Sequence, residues 1–311
     1  IFCFIYGDQN LDHEWGILVN NFFEYKTFGF FVIEGQVTPN LYMPPLYAFF
    51  LIFLKFIINE LKVLLILVFL IQSIISTISF YYLFKLTSKF YNYKISILIT
   101  LLYSLFPLNF YAVSQISSII FQSSFFIIFL YYIISFLIDK KLYYLFLASV
   151  FSGLLLLLRG EFLAIYFIFI FLVFTKKKIH FFLIYLIIPL LIISPYLIRN
   201  FNNFNTLTIT KSFGYNLWKG NNSLSKVEGN PGIFSPKIRS ELDNIKDIKK
   251  YDLIRDELFK EYAIKNILEN KSGYFFLYLK KIISYITLDL NSSYPNYYNL
   301  LHIIPKFLIF L

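Results

Sequence analysis

Long apolar runs separated by short polar segments dominate the chain. A helix needs about 20 mainly apolar residues to cross a bilayer, and several runs approach that length. The pattern predicts six membrane-spanning helices, over residues 63–84, 95–112, 118–138, 142–158, 161–175 and 179–198. A shorter run, 46–58, predicts a helix that lies at the membrane surface. Residues 1–6 and 299–311 resemble parts of two further spans, so we expect a fragment that lacks both ends.

Clustered lysines set the expected orientation of these helices. The clusters are Lys85, Lys89 and Lys94, then Lys140 and Lys141, then Lys176, Lys177 and Lys178. Two apolar runs separate each cluster from the next, so all three fall on one side, which the positive-inside rule makes cytoplasmic. By parity, we expect loop 7–44, the turn Arg159–Glu161 and the segment from Arg199 to about Ser272 on the outer side.

The composition supports an all-α polytopic membrane protein. Of the 311 residues, 58% are hydrophobic, and the mean hydropathy of +0.67 is far above that of a soluble domain. The net charge of +10 does not indicate nucleic-acid binding, because the charges cluster beside apolar runs. The single Cys3 excludes an internal disulfide.

The two expected outer segments differ in charge. Residues 8–44 hold five acids and one base, whereas residues 199–272 hold 13 bases and nine acids. An acidic segment and a basic segment together suit a reaction in which one group accepts a proton and another group binds a phosphate. Many of the later charges have an ordinary interpretation, because residues 236–269 are typical of an amphipathic helix with a start signal at Ser235–Pro236.

The first acidic loop contains the candidate catalytic groups. Its sequence "NLDHEWGILVNNFF" predicts a membrane-lying helix with Trp15, Leu18, Val19 and Phe22 on one face. Asp12, just before this helix, is its N-cap, a catalytic base or both. Glu14 and Asp8 are the alternatives.

Other polar residues beside apolar runs are weaker candidates. Pro44 and Pro45 predict a helix start, and a rigid turn there would hold the loop above a cavity. Arg159 and Glu161 are either functional charges or a pair at the tip of a helical hairpin. Gln115 lies at an expected outer helix end.

The stretch "SPYLIRNFNNFNTLTITKSFGYNLWKGNN" is the most specific one. Arg199 is expected at the exit of a span, with Lys211 and Lys219 following. Phe213–Asn222, "FGYNLWKGNN", is expected to be a loop with a Gly/Asn turn that contains Asn221 and Asn222. Guanidinium and ammonium groups beside such a turn favour an anion-binding rim. The alternative is a capped helix end followed by a loop.

No metal-ligand cluster is predicted. His13, His180 and His302 are far apart in the sequence, and no phosphate-loop or zinc-protease motif occurs. We therefore expect no cofactor, although the sequence does not exclude a divalent cation.

Taken in order, "DHEW", "MPPLY", "FPLNFYAVSQISS", "LLLLRGEFL" and "SPYLIRN" resemble a known family over essentially the whole chain. It is the membrane glycosyltransferases of the GT-C fold that use polyprenyl-phosphate sugars, with Rgt-like bacterial enzymes nearest and aminoarabinose transferases and protein O-mannosyltransferases more distant. The chain has "LDHE" where many members have Asp-Glu, Gln115 where many have an acid, and Arg159–Gly160 where many have Arg-Pro.

The resemblance implies a GT-C helical bundle, with membrane-lying helices in the first outer loop and a large outer loop after span seven. It implies domains 1–198 and 199–298, with 299–311 starting another span. It also implies transfer of a sugar from a polyprenyl-phosphate donor to a lipid, glycan or protein acceptor at the periplasmic face of a bacterial inner membrane. Asp12 or Glu14 would be the base, and Arg199, Lys211 and Lys219 would bind the donor phosphate. The other cavity residues would be Asp8, Pro44, Pro45, Gln115, Arg159, Glu161, Asn221 and Asn222.

A transporter or lipid flippase is the alternative function. It predicts polar residues near the bilayer midplane, broken helices and internal repeats. A purely structural membrane subunit would leave the acidic loop without a role.

Overall fold

The computed structural model describes residues 7–176, 178–229 and 232–286, together with residues 303, 304 and 307. Two compact units make up the chain. We call the first the bundle unit, formed by the described residues of Ile1–Phe28 and Pro44–Ile209, and the second the polar unit, formed by those of Gly29–Met43 and Thr210–Leu311. Several predicted features lie outside the described residues: Cys3, Lys177, His302 and almost all of the partial spans 1–6 and 299–311.

The bundle unit is helical throughout its regular structure. Its helices are α1 Glu14–Tyr25, α2 Pro45–Ile57, α3 Leu61–Thr87, α4 Tyr93–Ser104, α5 Pro107–Val113, α6 Ile119–Asp139, α7 Leu142–Leu158, α8 Phe162–Phe174 and α9 Ile179–Phe204. Helix α7 packs against both α6 and α9, and α3 packs against α6. Phe129, Phe136, Leu145 and Tyr185 are fully enclosed in this core.

Three helices of the described chain are long and apolar enough to cross a membrane, namely α3, α6 and α9. This confirms a helical protein of membrane type. The prediction of six full-length spans is only partly matched, because α7 has 17 residues and α8 has 13. Both still coincide with predicted runs and end near the predicted residues.

The run 95–112 was expected to form one straight helix, but it does not. It divides into α4 and α5, which are bent by 52° at a short break. Phe106 has an extended backbone and Pro107 starts α5. Proline disfavours helical geometry in the residue before it and lacks an N–H for the preceding helix, so the bend falls at this position.

Two predicted helix starts are confirmed. Pro44 is the N-cap of α2 and Pro45 its first residue. In the polar unit, the Ser235 side chain accepts a hydrogen bond from the Ile238 N–H, and Pro236 begins the helix. The amphipathic stretch 236–269 nevertheless does not form one helix, because it divides into the helices Pro236–Asp243 and Tyr251–Glu269.

The polar unit combines a small hairpin with short helices. The hairpin pairs β1 Val32–Ile33 antiparallel with β2 Gln36–Val37, with Val32 opposite Val37. The helices are α10 Phe213–Gly220, α11 Pro236–Asp243, α12 Tyr251–Glu269 and α13 Lys271–Ile286, with a 3-10 turn at Ile248–Lys250. Its apolar core contains the buried residues Trp218, Phe259 and Ala263.

Residues 213–220 form helix α10, so the expectation of a loop over "FGYNLWKGNN" is wrong. Trp218 and Gly214 are buried on one side of α10, which packs against α12. A Cβ atom on Gly214 would lie 1.9 Å from the Asp256 carbonyl oxygen. The glycine therefore permits close contact between these helices.

Candidate functional site

Asp12 does not cap α1. The N-cap is His13, which makes no side-chain capping hydrogen bond. Asp12 and Glu14 are both exposed to solvent. The capping alternative for Asp12 is therefore wrong, and its carboxylate is not engaged as a helix cap.

Asp12 instead lines a cavity of ≈ 210 Å³ in the bundle unit. The other lining residues are Asn10, Leu11, Asn20, Lys55, Asn59, Leu61 and Leu64. The cavity thus combines one carboxylate, one ammonium group and three amides with the apolar start of α3. This is a polar hollow beside a helix long enough to cross a membrane.

Asn20 makes hydrogen bonds to two other residues that line this cavity. Its Nδ2 donates to the Leu11 carbonyl at 3.1 Å, and its Oδ1 accepts from Lys55 Nζ at 2.8 Å. Gly16 lets the opening segment lie directly against α1, because a Cβ there would be 2.1 Å from the Leu11 carbonyl oxygen. These contacts position Asp12 relative to α1 and α2.

Lys55 is the cavity residue that sequence reasoning missed. It is half-buried, lies 5.1 Å from the centre of the Phe23 ring, and burial lowers the pKa of its ammonium group. A signal was present, because Lys55 is the one charged residue within the apolar run 46–58. Isolated charges in apolar runs are often functional.

Asp8 fastens the opening segment to the turn between α5 and α6. Its carboxylate accepts the Ile116 N–H at 2.7 Å, and its own N–H donates to the Ser114 carbonyl at 3.0 Å. The Gln115 carbonyl in the same turn accepts from Gln72 Nε2 at 3.0 Å. The structure therefore brings Asp8 and Gln115 together, in contacts that stabilise the loop.

Arg199 lies within α9, which continues to Phe204, past the predicted end of the span at residue 198. The guanidinium donates to Asn200 Oδ1 at 2.7 Å and to the Phe28 carbonyl at 3.4 Å. It also lies 5.4–5.9 Å from the ring centres of Phe28, Tyr196 and Phe204. Arg199 thus ties α9 to the end of the first loop.

Arg159 and Glu161 occupy the turn predicted between two helices. Arg159 is the C-cap of α7, and Glu161 is the exposed N-cap of α8. Arg159 Nε is buried with no hydrogen-bond partner in the described part of the chain. This N–H is therefore a buried donor without an acceptor among the described residues.

Four predicted residues lie in the polar unit. The Lys211 ammonium is 3.3 Å from the Glu257 carboxylate, and its N–H bonds the Leu41 carbonyl. Lys219 is in the last turn of α10. Asn221 and Asn222 each donate from Nδ2 at 2.8 Å, to the Leu217 and Trp218 carbonyls. The two asparagines thus stabilise the C-terminal end of α10.

The polar unit also buries three charged side chains that sequence reasoning missed. Asp252, Arg255 and Asp256 lie on consecutive turns of α12 and are 2–7% exposed. Asp252 accepts hydrogen bonds from the Leu41 and Tyr42 N–H groups at 2.7 and 3.0 Å and from the Thr38 hydroxyl at 3.4 Å. Burial raises the pKa of Asp252 to about 6. It also raises the pKa of Asp256, which accepts the Tyr215 N–H.

No family model, curated protein or solved structure matches this chain. Across residues 7–176, 178–229 and 232–286, no group of three His, Cys, Asp or Glu side chains is arranged to hold a metal ion. A functional assignment therefore depends on the chemistry of the cavity that contains Asp12 and Lys55.

Proposed function

We propose that the chain is a membrane glycosyltransferase that uses a lipid-phosphate-linked sugar. The observation that carries this proposal is the shared cavity of Asp12 and Lys55, which opens beside the apolar helix α3. A base and a cation beside an apolar surface match the needs of a reaction whose acceptor is a hydroxyl and whose leaving group is a lipid phosphate.

The reaction would divide between these two side chains. Asp12 takes the proton from an acceptor hydroxyl as its oxygen forms a bond to the anomeric carbon. The bond from that carbon to the phosphate oxygen breaks, and the lipid phosphate leaves with the electron pair. Lys55 stabilises the charge that develops on the phosphate. Arg199 remains a further candidate for this task, as the family resemblance implies.

The size of the cavity limits what it holds. Its ≈ 210 Å³ is below the roughly 300–1,000 Å³ of sites that enclose drug-sized ligands. A monosaccharide-sized group would fit, while the isoprenoid tail would lie outside against apolar helices. We further propose a bacterial inner membrane, a periplasmic site and a lipid, glycan or protein acceptor, as the resemblance implies. The lipid phosphate is a competent leaving group, so the chemistry requires no resident cofactor.

The test is Asp12→Asn in the full chain, expressed in a strain of the source organism that lacks the gene. Mass analysis of surface glycans should show a loss of about 10²–10⁴-fold in transferred sugar, the usual value of a general base. Glu14→Gln decides between the two predicted bases. The matched control is Glu24→Gln, an exposed acid at the other end of α1, which should leave transfer intact. Full transfer by both Asp12→Asn and Glu14→Gln, at equal expression, would exclude the mechanism.

Transport is the second candidate, favoured by two observations in the bundle unit. The α4–α5 pair is bent by 52°, and α3 buries Gln72, Ser76 and Ser79 along one side. Broken helices and buried polar residues are typical of transporters. Movement of a fluorescent polyprenyl phosphate between leaflets of proteoliposomes, abolished by Gln72→Leu and unaffected by Asp12→Asn, would favour this function over glycosyl transfer.

A further inference from the structure

Arg255 is a buried cation with an unusual set of contacts. It lies in α12 of the polar unit and is 7% exposed. Among the described residues its side chain makes no ion pair and no hydrogen bond. Its contacts are instead with four aromatic rings, whose centres lie 4.5–5.2 Å from the guanidinium carbon: Phe31, Tyr42, Tyr215 and Phe259.

The nearby carboxylates are already committed to other donors. Asp252 accepts from two backbone N–H groups and a hydroxyl. Asp256 accepts the Tyr215 N–H at the start of α10. Neither approaches Arg255 closely enough to form an ion pair. The acids therefore position the backbone, and the guanidinium keeps its hydrogen-bonding capacity.

An aromatic cage alone does not satisfy an arginine. Cation–π contacts offset part of the cost of burying the charge, but they leave the N–H donors without acceptors. None of these donors is among the fully buried atoms without a partner, so they depend on solvent or on a ligand for their hydrogen bonds. The contrast within the same chain is Arg199, which also lies among three rings yet donates to Asn200 and to the Phe28 carbonyl.

The chemical class of a ligand for Arg255 follows from the geometry of the guanidinium group. A guanidinium presents parallel N–H groups that match the two oxygens of a phosphate or carboxylate. Four rings already surround the guanidinium carbon at 4.5–5.2 Å, so little conformational freedom of the side chain would be lost on binding. Arg255 is 7% exposed, and its unbonded nitrogens are not fully buried, so an oxyanion would approach them from the solvent.

We propose that Arg255 is the anchor of an oxyanion-binding site in the polar unit, with the aromatic rings of Phe31, Tyr42 and Tyr215 as its walls. The ligand is a phosphate or carboxylate group held by two parallel hydrogen bonds. This site is separate from the cavity of Asp12 and Lys55, and it does not depend on glycosyl transfer.

Trp218 provides a direct readout, because its ring lies 6.2 Å from that of Tyr215 and it is one of two tryptophans. In full-length Trp15→Phe protein in nanodiscs of neutral lipid, inorganic phosphate should change the Trp218 fluorescence saturably at constant ionic strength. Chloride should not. Arg255→Lys keeps the charge but loses the paired donors, so affinity should fall by at least about tenfold. The control is Arg239→Lys, an exposed arginine of α11, which should bind as the parent does.

Two competition experiments distinguish a lipid headgroup from a soluble anion as the natural ligand. Nanodiscs that contain polyprenyl phosphate should compete with inorganic phosphate if the natural ligand is a lipid headgroup, and those with neutral lipid alone should not. Competition by acetate but not by polyprenyl phosphate would identify a soluble carboxylate. The absence of a saturable response in the parent protein, or an equal response in a folded Arg255→Lys variant, would overturn the site. Neither result depends on whether Asp12 is catalytic.

Discussion

The bundle unit and the polar unit bury polar groups of different kinds. In the bundle unit the buried polar side chains are neutral, and many hydroxyls bond the carbonyl one turn earlier, as Ser135 does to Tyr131 and Ser149 to Leu145. In the polar unit, buried charges occupy α12.

The difference follows from how each unit satisfies its backbone. Long helices bond their own N–H and C=O groups, so the helical backbone of the bundle unit needs no charged side chain as a partner. Residues 29–43 have only a two-residue hairpin pair, and the N–H groups of Leu41 and Tyr42 find their acceptor in Asp252. At residues 41 and 42, a buried carboxylate therefore takes the place of a regular secondary-structure partner.

The largest effect is expected from Asp252→Ala. It removes the acceptor of the buried Leu41 N–H group and a hydrogen bond to the Tyr42 N–H group, which should lower the stability of the polar unit by about 3–5 kcal/mol. Denaturant-induced unfolding followed by Trp218 in the Trp15→Phe background measures it. Asp252→Asn is the matched control, since it keeps one acceptor oxygen and should cost less. Equal, small losses in both variants would contradict the role given to the carboxylate.

The next effect concerns pH. The folded-state pKa of Asp252, raised by burial to about 6, exceeds its ordinary value of 3.8. The folded state then holds the proton more tightly than the unfolded state. The stability that protonated Asp252 contributes is therefore fully present below about pH 4 and is lost as pH rises to about 6. The loss amounts to up to roughly 3 kcal/mol. The buried Asp256 changes stability in the same direction.

Subtracting the pH profile of Asp252→Asn from that of the parent, again by Trp218 unfolding, isolates the contribution of Asp252. Glu257 acts in the opposite direction, because the Lys260 hydrogen bond lowers its pKa, but its effect is common to both proteins. A flat difference between pH 4 and pH 7 would show that burial does not penalise this carboxylate.

The smallest effect is expected in the bundle unit, from Gln72→Leu. Gln72 accepts from the Tyr47 hydroxyl and donates to the Val113 and Gln115 carbonyls. Side-chain hydrogen bonds between helices in membranes contribute about 0.6–2 kcal/mol, so the loss should be near 1–2 kcal/mol. Trp15, which contacts Tyr47 at 5.3 Å between ring centres, reports it in the Trp218→Phe background.

Tyr47→Phe is the partner variant for a double-mutant cycle with Gln72→Leu. If the two losses add fully, the two side chains do not act together, and the bundle unit does not depend on this polar link.

Most of the bundle unit could be predicted from sequence, whereas the polar unit could not. Apolar runs locate α3, α6, α7, α8 and α9 because hydrophobic length determines where a helix can be buried or face lipid. The bend at Pro107 was missed, although proline chemistry accounts for it. By contrast, Pro189 and Pro195 lie inside α9, which continues past both. Tertiary contacts decide which prolines interrupt a helix, and a single sequence does not reveal them.

The candidate site was only partly predictable. Asp12 was chosen from charge and position, and a cavity is present there, but Lys55 appeared to be part of an apolar helix. Residues 29–43 belong to the same unit as residues after 210, and no local pattern indicates this pairing. Arg255 resembles any surface arginine of an amphipathic helix until its aromatic neighbours, distant in sequence, are placed around it.

The pairing of Leu41 with Asp252 has a consequence for biosynthesis. The two residues are 211 positions apart in the chain. At about 5–20 residues per second, a ribosome needs roughly 10–40 s to make the stretch between them. During that interval the hydrogen bonds from the amides of residues 41 and 42 to Asp252 cannot form, so this segment does not reach its final structure until α12 has been synthesised.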